Sequence, residues 1–162
     1  MKILGVDPGL AKTGYGIVEK LGNKLILIKC GCIKTEKGVY TKRLKNIYNE
    51  ILTIIKDTKP EAIAIEQLFF CKNVKTALKI GEVRGIIMLA GIMSNIEIYE
   101  YTPLQVKQSV TGYGKAGKEQ VHKMVKVLLG LKELPKPVDI SDALAISICH
   151  INSYNLKNLM KQ

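Results

Sequence analysis

No stretch of this chain approaches the roughly 20 consecutive apolar residues that a membrane-crossing helix needs. Its first residues, MKILGVDPG, have neither the apolar run nor the small-residue cleavage site of a secretory leader. Cysteine is sparse and unpatterned: Cys30, Cys32, Cys71 and Cys149 match no zinc-ligand spacing and no C-x-x-C redox pair. Cys30 and Cys32 fall on one face of a strand and read as small core residues. Phenylalanine occurs only at Phe69 and Phe70. No internal repeat or low-complexity segment interrupts the chain. These absences argue against membrane-spanning, zinc-folded and dithiol-redox proteins, and the expectation is a soluble cytoplasmic one.

What is present suits one compact domain spanning residues 1–162, with 47% hydrophobic residues and a mean hydropathy of +0.10. Acids are outnumbered, 14 against 25 lysines and arginines, for a net charge of +11. Such a field steers a protein toward polyanions. Lysine and isoleucine abundance also fits an AT-rich genome, so charge alone favours nucleic acid only modestly.

The first third reads as three strands, over 3–7, 13–19 and 25–33, joined by Pro8-Gly9 and Gly22-Asn23 turns as antiparallel hairpins. Leu44, Ile47, Ile51, Ile54 and Ile55 recur at helical spacing and predict a helix over 41–57. A short buried strand, AIAIE, covers 62–66, and a loop follows over 67–73. A long apolar helix is expected over 74–93, carrying Gly81 and Gly85 on one face. Those glycines admit a close helix neighbour, either within the fold or across a homodimer seam. A strand over 96–101, helices over 103–110 and 118–129, and a last helix from Asp139 complete the chain. The expected class is α/β, a mixed central sheet with helices on both faces.

Four acids stand at strand ends or a helix start: Asp7, Glu66, Asp139 and Asp142. Each alone has an ordinary explanation. Asp-Pro-Gly is good turn chemistry, Glu66 suits a solvated strand end, and acids in a helix's first turn complement its dipole. A related Asp-x-Gly pattern also occurs in actin-like sugar kinases. Yet the i, i+3 spacing of Asp139 and Asp142 places both on one helix face. Two like charges ~4 Å apart repel by ~4 kcal/mol at an effective dielectric near 20, so a converged set calls for cations. Oxygen-only donors favour Mg²⁺ or Mn²⁺ over zinc.

Between Pro103 and Val138 the chain holds seven lysines and two glutamates. Gly112 to Lys118 imitates a phosphate-cradling G-x-x-x-x-G-K loop. However, Glu119 replaces the required Ser or Thr, and an amphipathic helix precedes it rather than a buried strand. Nucleotide binding there is rejected. Lys107, Lys115 and Lys118 suit a nucleic-acid backbone, with a solvated helix face as the competing reading for the lysines beyond. Phe69, with Lys72 and Lys75 nearby, offers an aromatic for stacking on an unpaired base.

Five blocks in series, GVDPGLAKTGYG, AIEQLFFCKN, KTALKIGEVRG, QVKQSVTGYGKAGKEQV and DISDALAISICH, resemble the RuvC family of bacterial Holliday-junction resolvases. The resemblance runs from Met1 to about His150; the family's longer basic tail is trimmed here. It implies a ribonuclease-H-like fold, a homodimer, a four-way DNA junction as substrate, and the RuvA and RuvB branch-migration complex as partners. It implies paired symmetric nicks by metal-dependent hydrolysis, leaving a 5′-phosphate and a 3′-hydroxyl. Asp7, Glu66, Asp139 and Asp142 match the catalytic, metal-binding carboxylates for two Mg²⁺ per subunit, with Mn²⁺ as a substitute. Lys107 and Lys118 match functional basic positions, Phe69 the junction-facing aromatic, and the glycine-bearing helix the dimer seam. A YqgF-type ribosomal-RNA nuclease, a ribonuclease H for hybrids and a non-enzymatic junction-binding module are the competing readings. The last leaves the four acids as unexplained repulsion.

Overall fold

The computed structural model describes residues 1–68 and 74–159. Its elements are β1 (Lys2–Asp7), β2 (Lys12–Leu21), β3 (Lys24–Lys34), α1 (Tyr40–Thr58), β4 (Ala62–Glu66), α2 (Val74–Met93), β5 (Glu97–Tyr101), α3 (Pro103–Thr111), α4 (Lys118–Leu128) and α5 (Val138–Leu159). Each expected element is present, with ends displaced by a residue or two.

The strands form one sheet in the order β3-β2-β1-β4-β5. The first three pair as antiparallel hairpins, while β1–β4 and β4–β5 are parallel. Parallel neighbours need crossovers, and α1 and α2 supply them. Both pack on one face of the sheet, over Leu4, Val6, Ile17, Ile63 and Ile65. Helices α3, α4 and α5 cover the other face, over Ile3, Val18, Ala62 and Ala64. Strand alternation explains the division: in AIAIE, two alanines face α5 and two isoleucines face α1 and α2.

The α5 face is built small where the helix crosses. A Cβ on Gly5 would lie 2.2 Å from the Ala143 carbonyl oxygen, one on Gly16 2.5 Å from Leu144 Cδ2, and one on Gly14 2.0 Å from the Asp139 carbonyl oxygen. These glycines let the α5 backbone rest almost directly on β1 and β2. The buried Ser147 hydroxyl then donates to the Gly16 carbonyl at 2.8 Å, pinning the helix to the strand. Cys30 and Cys32 are half-buried and pack at the margin of this core on one strand face, as their alternation requires.

The two glycines expected to share a face of α2 differ in surroundings. Gly81 faces Leu68, 3.4 Å from where its Cβ would stand, whereas a Cβ on Gly85 would meet nothing within 4 Å. No helix among the described residues seats against Gly85. Close packing inside the fold falls instead at Gly91, against Ile98 and Ile63. The phosphate-loop imitation is dismantled by structure: Gly112 caps the end of α3 and Gly117 begins α4, with a helix before them and not a strand.

Candidate active site

Strands β1 and β4 run parallel and end together. Their last registered pair is Val6 with Ile65, so Asp7 and Glu66, each the next residue, emerge side by side. Asp7 also pairs with Gly14 across the β1–β2 hairpin, and Gly14 carries the Asp139 backbone against it. The glycine seat therefore brings the first turn of α5 to Asp7. One turn on, Asp142 projects from the same helix face toward α4. The turn behind Asp7 is closed by Thr13, whose hydroxyl donates to the Gly9 carbonyl at 2.7 Å.

Asp7, Glu66 and Asp142 line a cleft of about 280 Å³, facing Lys107 from α3 and Lys118 from α4. Pro103, Val106 and Val121 supply apolar walls. Asp139 does not line the cleft, but it is close enough for its charge to act on Asp7. Lys115 is exposed on the α3–α4 connection and does not line the cleft. Phe69 and Lys72 lie outside the described residues.

Crowded like charges dominate the electrostatics. Burial, reinforced by Asp142, Glu66 and Asp139, pushes the Asp7 carboxyl from its ordinary 3.8 up to about 7. Glu66 is raised as well, first by burial and then by Asp142, while Lys118, Lys107 and Arg84 oppose the rise. Arg84, whose charge acts on Glu66, also pairs with Glu100. Lys118 is drawn two ways: desolvation lowers its pKa, but the Asp142 hydrogen bond and the surrounding acids win and raise it.

Asp142 is engaged at both oxygens. Lys118 Nζ lies 2.7 Å from Oδ2, and His122 Nε2 lies 2.8 Å from Oδ1. The sequence reading missed His122. The signal was available: Lys118 and His122 are i, i+4 on one helix, so a partner of one is within reach of the other.

Among the described residues, no three His, Cys, Asp or Glu side chains stand close enough together to hold an ion as they are. The donor chemistry nevertheless fits a divalent cation. The lining acids offer oxygen alone, and the raised Asp7 and Glu66 mark a site short of positive charge.

The family described as "Crossover junction endodeoxyribonuclease RuvC" matches residues 3–150 of this chain. A protein of that name from Pelotomaculum thermopropionicum is 52% identical, over 99% of this chain and 99% of its own. One from Halothermothrix orenii is 57% identical over 96% and 95% of the two chains. Among solved structures, Thermus thermophilus RuvC in complex with Holliday junction substrate superposes with a TM-score of 0.92 at 35% identity, covering 97% of this chain and 96% of that one. With the sheet order, the acid-lined cleft and these matches together, the chain belongs to the RuvC family of crossover junction endodeoxyribonucleases.

Proposed function

We propose that this protein is an endonuclease that resolves four-way Holliday junctions in DNA recombination and repair, cutting two opposed strands symmetrically to leave 5′-phosphate and 3′-hydroxyl ends. The observation that carries the reading is the cleft itself. In a chain of this family, Asp7, Glu66 and Asp142 line one cleft together with Lys107 and Lys118, wide enough for a phosphodiester.

Asp7, Glu66, Asp139 and Asp142 are the catalytic carboxylates and would hold two Mg²⁺ per subunit, with Mn²⁺ as a substitute. When bound, the metal supplies Lewis acidity at the phosphate and lowers the pKa of a coordinated water. The chain's own residues set the frame. Asp7, fixed by β1 and flanked by Glu66 and Asp139, is the acid the others surround. Lys118 offsets negative charge gathering on the phosphate, and Lys107 grips the backbone beside it. Lys115, exposed on its loop, contacts DNA farther out. Phe69 is assigned to the junction by its aromatic chemistry and the family resemblance, and Lys72 by its charge beside it.

Paired cuts need two active sites related by a twofold axis, so the working unit is a homodimer. Helix α2 is the proposed seam. Val74, Leu78, Leu89, Ile92 and Met93 are exposed along it, and Gly85 opens onto free space. Large apolar exposure of this kind marks an interaction surface. Residues 1–162 act as one domain, in the cytoplasm, with RuvA and RuvB as the branch-migration partners. No helix of the described residues is long and apolar enough to cross a membrane.

The test is cleavage of a labelled four-way junction with Mg²⁺, beside a linear duplex. Symmetric nicks confined to the junction and abolished by Asp7→Asn, with binding retained, are expected. Tight binding without cleavage in either Mg²⁺ or Mn²⁺ would overturn the assignment.

A further inference from the structure

The two α4 residues that hold Asp142 differ in their freedom to leave. The Lys118 side chain, which lines the cleft, is 61% exposed on a flexible four-carbon stem, and its ammonium takes Oδ2. The His122 side chain is only 12% exposed. It sits beside Val121, which is buried together with Val125 where α4 packs on the core. The Asp142 carboxylate accepts and does not donate, so His122 Nε2 carries the proton and gives it to Oδ1 at 2.8 Å. The ring is a rigid donor on a fixed helix. The lysine is a mobile cation.

We propose that His122 is a positioning residue for the metal-dependent reaction: by holding Oδ1, it turns Oδ2 of Asp142 toward the cleft and presents one oxygen, not two, to a divalent cation. Lys118 Nζ lies 2.7 Å from that same oxygen and would give way to a bound cation. An outer hydrogen bond of this type fixes the orientation of a ligand and tunes its affinity, and removing one typically weakens metal binding about 10–100-fold. The inference rests on the active-site reading above, with Asp142 as a ligand.

Three variants test it on the full-length protein. His122→Phe keeps ring bulk and removes the donor; His122→Leu removes the donor with a smaller side chain. His122→Gln returns an N–H close to the Nε2 position. The first readout is the Mn²⁺ concentration giving half of the metal-induced rise in melting temperature. The second is the concentration giving half-maximal junction cleavage. We expect both to rise about tenfold or more in His122→Phe and His122→Leu and to return toward wild type in His122→Gln, with junction binding in EDTA unchanged. Half-saturation equal to wild type in whichever donor-less variant folds overturns the proposal. So does a His122→Gln as impaired as the donor-less variants, since bulk alone would then matter. A wild-type protein with no metal response at all would instead refute the metal site on which the inference stands.

Discussion

The two faces of the sheet solve different problems with the same strands. Toward α1 and α2 the strands present Leu4, Val6, Ile17, Ile63 and Ile65, and the helices answer with Ile47, Ile51, Ile54, Ile55 and Ile87. That face gains its strength from volume. Toward α5 they present Ile3 and Val18 but also Gly5, Gly14, Gly16, Ala62 and Ala64, and at Gly5 and Gly14 helix backbone meets the strand with no side chain between. Branched side chains tolerate small rearrangements; a carbonyl oxygen where a Cβ would be does not. The acids are on the side where position is least negotiable. The two faces therefore differ in how much displacement they tolerate, and the comparison can be tested.

The sharpest way to break this comparison is Gly14→Ala. Its new Cβ would fall 2.0 Å from the Asp139 carbonyl oxygen and must push the first turn of α5 away from Asp7. Cleavage should drop on the order of 100-fold, the cost of misplacing a reacting group by about 1 Å. Stability should fall by only about 1–3 kcal/mol. Rates measured at saturating metal and chemical denaturation of the same sample decide it, and full activity would refute the seat. Ile51→Ala is the counterpart on the large face. It should lose about 2–5 kcal/mol in denaturation, while cleavage per folded molecule stays at the wild-type rate.

Acidity sharpens the contrast without a substitution in the core. The Asp7 carboxyl titrates near 7 when folded and near 3.8 when unfolded, so between those values the native state holds a proton the unfolded chain has released. Stability of the metal-free protein contributed by this group is present below about pH 4 and is lost as pH rises through 7. Melting in EDTA from pH 4 to 8 should show this decline, and Asp7→Asn should flatten it. Mg²⁺ should restore stability most at the alkaline end, where the site is fully ionised. The smallest effect belongs to Lys29→Ala on the large face. Lys29 reaches Asp57 at 3.4 Å, but both side chains are about half exposed, so about 0–1 kcal/mol is expected and cleavage should not change.

Local patterns made most of this legible in the sequence. The bounds 74–93 are readable from a long, mostly apolar stretch, and Asp7 and Glu66 could be placed at strand ends because short apolar runs stop at each. The i, i+3 spacing likewise placed Asp139 and Asp142 together on one turn. What escaped depends on partners far away in the chain. GVDPGLAKTGYG looks like turn and phosphate chemistry, yet Gly14 and Gly16 serve as the bed of a helix from the far end of the chain. His122 carries meaning only through Asp142, on another helix. Lys115 shares its stretch with Lys118, but the loop before α4 turns it outside the cleft.

The position of α5 also bears on when the enzyme can exist. It is the last element in chain order, yet it lies across the first two strands, and it brings two of the four acids. A chain emerging from the ribosome completes its hairpins and then β4 while still lacking any surface to close the cleft. Contacts between such distant segments form late, because a long loop must be closed before they yield any gain. The cleft is thus completed only once α5 has been made, and a fragment lacking α5 holds Asp7 and Glu66 without Asp139 and Asp142.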